Sequence, residues 1–184
     1  MELDKRPTAV VPMLEELVDF FAPQAQLHRV QLRVRPPDPR QPPTVVPLDE
    51  RQVKQAVLNL MINALQAIPE QGGEILLSAR REGDDILIEV TDTGIGMNAA
   101  TIAHIFEPFF TTKDKSKGTG LGLSTVYGIV QQSGGHLCVD STVGKGSTFA
   151  MYLPRTDRVA DSGLTPIEML PATLPGTATN LRLE

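Results

Sequence analysis

A chain of 184 residues holds one domain with material left for a tail. Its 41% hydrophobic content supplies a single sizeable core that, with no Trp and 4% aromatics, must be largely aliphatic. The formal net charge of -5 provides no general basic field, so nucleic acid is not expected as a partner, and a bound anion must rely on local lysines and backbone N–H groups. Cys138 is the single cysteine, which excludes an internal disulfide and a cysteine-rich metal site. No apolar run reaches membrane-spanning length and the opening residues lack a signal-peptide core, so a soluble cytoplasmic piece without membrane contact is expected.

Residues 12–27 carry Leu14, Leu17, Val18, Phe20 and Phe21 in an amphipathic helical pattern, with Pro23 placing its later part in question. Residues 30–34 alternate as V-Q-L-R-V, the period of a half-buried strand, and P-P-D-P-R-Q-P-P then reads as a stiff surface loop. Asp49 has the character of a helix N-cap, with Gln52 completing a capping box. The helix it opens, to about Ile68, shows a core stripe of Val53, Val57, Leu60, Ala64 and Ile68 and a second stripe of Gln55, Asn59 and Asn63.

Residues 74–80 and 85–91 read as a hairpin around Gly83-Asp84, which sets Asp92 at a strand end. Residues 121–132 are helical in pattern, and 136–140 with 147–153 form a last hairpin. Cys138 fits that strand pattern as a small buried hydrophobe. Beyond Pro154 the composition turns to Pro, Thr and Gly, so residues 155–184 are expected as a poorly ordered tail to a domain covering 1–154.

Chemistry concentrates between Asp92 and Ser124. D-T-G-I-G-M places a carboxylate at a strand terminus ahead of two glycines that would let a ligand approach the backbone. An ionised Asp only accepts hydrogen bonds, so its ligand partner is an amine such as that of adenine. G-T-G-L-G-L-S precedes a helix, where free N–H groups and the helix dipole favour phosphate. Its spacing is neither a Rossmann fingerprint nor a Walker A loop, and the protein-kinase signatures are missing.

Between these glycine runs lie Lys113, Lys115 and Lys117, read either as a solvated cluster or as a lid with one lysine reaching a phosphate. Phe106, Phe109 and Phe110 serve equally as the lid's anchor or as core packing. Asn59 and Asn63, one helical turn apart, are either a polar helix face or a pair of amides aimed at one object, such as a Mg²⁺ shared with phosphates. None of His28, His104 and His136 has metal-ligand spacing or an H-x-x-x-P context.

In this order, N-L-M-I-N-A, D-T-G-I-G-M, F-E-P-F-F-T-T-K and G-T-G-L-G-L-S resemble the N, first glycine, F and second glycine boxes of bacterial sensor histidine kinase catalytic domains. G-K-G-S-T-F-A-M-Y-L-P resembles that family's final hairpin, so the likeness spans about 49–154. The family shares its superfamily with DNA gyrase, mismatch-repair ATPases and heat-shock chaperones. The resemblance implies the Bergerat fold, an α+β two-layer sandwich of a mixed, mostly antiparallel sheet with helices on one face. It implies ATP and Mg²⁺ as cofactors.

By the same resemblance Asp92 binds the adenine amine with Thr148 assisting through water, while Gly94 and Gly96 flank the base. Asn63 holds Mg²⁺, with Asn59 beside the phosphates. Gly118, Thr119, Gly120, Leu121, Gly122 and Leu123 form the phosphate wall, and Lys113 is the lid cation.

Superfamily ATPases place a Glu where Asn59 stands, as general base for water; an amide cannot take that role. The expected activity is therefore transfer of the γ-phosphoryl to a histidine on a separate dimerisation and phosphoacceptor domain, outside this chain, which supplies a response regulator in a two-component system. Autophosphorylation and stable dimerisation are not expected of this piece alone, and its parent is compatible with a membrane anchor. The alternatives are a stand-alone serine kinase of the anti-sigma-factor type and a non-catalytic nucleotide-sensing module.

Overall fold

The computed structural model describes residues 3–41, 43–112, 120–155 and 179–183. Its main sheet runs β2 (Val30–Val34), β4 (Gly73–Glu82), β5 (Asp85–Asp92), β7 (Gly146–Pro154), β6 (His136–Thr142) and β8 (Thr179–Leu183). The β2–β4 pair is parallel and every other pair antiparallel. A separate small antiparallel pair joins β1 (Arg6–Ala9) to β3 (Val45–Leu48). This is the α+β arrangement expected.

Period-two alternation gives the sheet one apolar face. Ile75 and Leu77 of β4, Ile86, Ile88 and Val90 of β5, Leu137 and Val139 of β6, and Phe149, Met151 and Leu153 of β7 are all buried. Helices α1 (Val10–Leu27), α2 (Glu50–Ala67) and α4 (Gly122–Gln132) bury their own stripes in the same core: Leu14, Leu17 and Phe21; Val53, Val57 and Leu60; Val126 and Val130. A one-turn helix, α3 (Ala99–Ile102), follows the glycine run after β5. Among the described residues no helix is long and apolar enough to cross a membrane.

Helix α1 runs through Pro23, an exposed position where the carbonyl the ring deprives of its hydrogen bond can turn to water. Asp49 caps α2 by accepting the Gln52 N–H at 3.2 Å. The expected box is half formed, because buried Gln52 Oε1 has no hydrogen-bond partner and the second Asp49 oxygen instead accepts the Asp4 N–H. Lys54 bonds Glu50 and Glu16, tying α2 to α1.

Of the tail expected to lack order, 156–178 lie outside the described residues. Residues 179–183 depart from that expectation and pair with β6. Cys138 is half-buried, not fully enclosed.

Candidate active site

A cavity of about 600 Å³ opens between α2, the glycine run after β5, residues 105–112 and the start of α4. Asp92 sits on its floor, 4% exposed, because β5 ends there with its core-facing alternation intact. One Asp92 oxygen accepts the Gly94 N–H at 2.8 Å. Burial pushes the carboxyl up to about 6, while the Gly94 and Ser147 backbone N–H groups pull it the other way.

Along the wall, α2 presents Asn59 and Asn63 one turn apart, both half-buried and lining the cavity. Asn59 Nδ2 donates to the Gly122 carbonyl at 3.4 Å, linking this wall to the first residue of α4. Leu121, the N-cap of α4, offers no side-chain cap; Ser124 and Thr125 turn their hydroxyls onto its carbonyl instead. Among the described residues the first-turn N–H groups of α4 therefore have no capping side chain, and Gly122 and Leu123 line the cavity.

The glycines have reasons internal to the chain. A Cβ on Gly94 would lie 2.7 Å from the Ala67 carbonyl oxygen, and one on Gly96, at φ +65°, 2.0 Å from that of Thr142. Their backbone approaches the protein's own strands and helix, and only Gly96 lines the cavity. Gly120, at φ +67°, accepts the Phe109 N–H at 2.9 Å, closing the neck of the intervening loop. Phe106 packs on Tyr127 and, with Phe110, against the hydrophobic core, and Phe110 also lines the cavity, whereas Phe109 stands 74% exposed.

Asn59, Asn63, Asp92, Gly96, Gly120, Gly122 and Leu123 thus converge on one cavity, and Gly94 and Leu121 lie beside it. Lys113, Gly118 and Thr119 lie outside the described residues. Thr148 requires correction. It pairs with Thr91 across β5–β7 and its hydroxyl lies 3.0 Å from that of Thr91, on the sheet face away from the cavity. The residue in register with Asp92, and lining the cavity, is Ser147. Extending the alternation of Phe149, Met151 and Leu153 back by one step finds it. Met97, the last residue of D-T-G-I-G-M, also lines the site, as does Ile105, which no motif announces.

A family model described as "Histidine kinase-, DNA gyrase B-, and HSP90-like ATPase" matches residues 48–157. The sensor kinase CckA of Brucella abortus is 48% identical over 60% of this chain and 13% of its own length. The alginate biosynthesis sensor protein KinB of Pseudomonas aeruginosa is 39% identical over 79% of this chain and 24% of its own. The chain thus spans under a quarter of either relative. Among solved structures, the catalytic domain of histidine kinase ThkA matches with TM-score 0.72 and 25% identity over 84% of this chain and 97% of that one. Full-length ShkA in complex with AMPPNP matches with TM-score 0.72 and 27% identity over 84% of this chain and 32% of that one. The chain belongs to the histidine kinase-, gyrase B- and HSP90-like ATPase family, as a catalytic ATP-binding domain of the sensor histidine kinase type.

Proposed function

We propose that this domain, in the cytoplasm, binds ATP with Mg²⁺ and transfers the γ-phosphoryl group to a histidine on a separate dimerisation and phosphoacceptor domain of its parent kinase, for passage to a response regulator. The observation that carries the reading is the polarity of one cavity. A buried carboxylate, which suits the adenine amine, and the start of a helix whose N-cap offers no side-chain cap, which suits phosphates, line the same cavity. Asn59 and Asn63 lie along its wall. AMPPNP, bound by the similar full-length ShkA, is a nucleotide of the same shape.

Asn63 fits Mg²⁺ as a single neutral oxygen donor, since this ion retains waters and is shared with phosphate oxygens. Among the described residues no cluster of three acidic, His or Cys side chains competes for it. When bound, the ion neutralises charge on the β- and γ-phosphates. Residues 113–119, with Lys113, Gly118 and Thr119, would complete the phosphate end.

Transfer is favoured over hydrolysis by what the wall lacks. Among the described residues lining the cavity, Asp92 is the only acidic or basic side chain, and this reading gives it to the adenine amine. Asn59, tied to the Gly122 carbonyl, cannot take a proton from water. Catalysis is then alignment: the incoming imidazole nitrogen attacks phosphorus as ADP leaves.

The test mixes the protein with Mg-ATP and a protein bearing the parent's acceptor helices. Acid-labile phosphohistidine is expected, and it should disappear with Asn63→Asp or Asp92→Asn. Acid-stable phosphoserine, or no transfer by wild type, would overturn the proposal.

A further inference from the structure

After Asp92 the chain leaves the sheet, and the stretch that follows walls the cavity with Met97, Thr101, Ile105 and Phe110. Its first residues are pinned from two sides. Ile95 donates to the Ala67 carbonyl of α2 at 3.0 Å, and its own carbonyl accepts the Gly144 N–H of the β6–β7 turn at 2.7 Å. Met97 then donates its N–H to the Ser141 hydroxyl of β6 at 2.8 Å. From Asn98 to Pro108 the backbone hydrogen bonds among the described residues are local to the stretch. The Met97–Ser141 bond is therefore the last of these ties to the sheet before the rest of the wall begins.

Ser141 is 3% exposed and lies behind the cavity, outside its lining. Its hydroxyl is also 3.1 Å from the Gly146 carbonyl and 2.9 Å from the Ser147 hydroxyl. A hydroxyl has one proton and two lone pairs, so a lone pair remains for Met97 whichever neighbour takes the proton. Neighbours on two packed strands fix the oxygen, which makes it a rigid acceptor. The Met97 side chain carries the hold onward. It packs against the main core and against Ile102 of α3, which also meets Phe106 and Tyr127. With only four residues α3 cannot hold itself as a helix, so its place is set by this packing.

We infer that Ser141 is a positioning residue for nucleotide binding: its hydroxyl fixes the Met97 backbone and, through Met97, the cavity wall of residues 101–110. Ser141 is outside the lining and acts only through Met97. The site is thereby shaped before nucleotide arrives, and no ordering of this wall is charged against binding. The inference rests on the ATP-binding reading above and adds to it what holds one wall in place.

Calorimetric titration with Mg-ATP, read beside amide hydrogen exchange at Met97, tests it. Ser141→Ala should speed Met97 exchange at least about tenfold and weaken ATP binding about tenfold. Transfer to the parent's acceptor helices at saturating ATP should stay within about twofold of wild type. Ser141→Thr, which keeps the hydroxyl, should bind ATP within about threefold of wild type. In a Met97→Ala background, Ser141→Ala should weaken binding by less than about threefold more. Leu14→Ala, in the core and outside the cavity lining, lowers stability alone and should leave ATP affinity within about twofold.

If Ser141→Ala does not fold, Ser141→Cys, of similar shape and a weaker acceptor, is read in its place. Unchanged Met97 exchange or unchanged ATP affinity overturns the inference. Equal weakening in both backgrounds, or the same weakening by Leu14→Ala, overturns it too. Failure of wild type to bind ATP overturns the function proposed above and this role with it.

Discussion

With its pKa raised to about 6 by burial, the Asp92 carboxyl holds a proton more tightly in the folded domain than in the unfolded chain. Its contribution to stability is therefore greatest when protonated, falls as pH rises from about 4 to about 6, and is level above that window. The shift from 3.8 to about 6 corresponds to a cost of about 3 kcal/mol at neutral pH. Asp92→Asn should thus stabilise the nucleotide-free domain by about 1–3 kcal/mol in urea unfolding at pH 7.5, with no gain at pH 4. The same substitution should abolish adenine binding. In wild type, adenosine affinity should fall as pH drops below 6, approaching tenfold per unit, because the amine needs the ionised carboxylate. An affinity flat from pH 7 to pH 5 would contradict this. Asp92, Asn59 and Asn63 were legible in the sequence because each stands at a fixed place in a motif. Ser147 was not, because choosing between it and Thr148 needs strand register, which no short motif carries.

Helix α2 depends on one carboxylate at its start. Asp49 accepts from both Gln52 and Asp4, so Asp49→Ala should cost about 1–2 kcal/mol in urea unfolding. A loss under about 0.3 kcal/mol would show that water replaces the cap without penalty. In the core stripe, Leu60→Ala, at a position 1% exposed, should cost about 3 kcal/mol. Both helices with long apolar stripes could be read from periodicity alone. Strands β1 and β3 could not: each has four residues and they face each other through Pro7 and Pro47. Proline argues against a strand in sequence, yet a two-stranded ribbon leaves room for residues that donate no ladder bond. The four-residue α3 is likewise too short for a helical period to register; its cap, Asn98 accepting the Thr101 N–H at 2.8 Å, is its one local signal.

Across the whole molecule, the sheet ends on β8, which pairs with β6 at register Leu137–Leu183 through Ser141–Thr179. The alternating L-R-L of residues 181–183 sits within a Pro- and Thr-rich segment, and composition masked it. A chain ending at Arg155 should keep its fold and its ATP affinity within about twofold, while β6 amides facing β8 exchange at least about tenfold faster. Unchanged protection would show that β8 adds nothing in solution. The β4–β5 and β6–β7 hairpins close through short local turns, but β5 meets β7 only after the whole stretch containing α3 and α4 has been laid down. The Asp92–Ser147 floor belongs to that long-range seam, whose loop closure must be met before any contact rewards it. If the seam closes after the folding barrier, nucleotide should slow unfolding in stopped-flow measurements and leave the refolding rate nearly unchanged. ATP would then act as a clasp on the finished domain and not as a guide to its assembly.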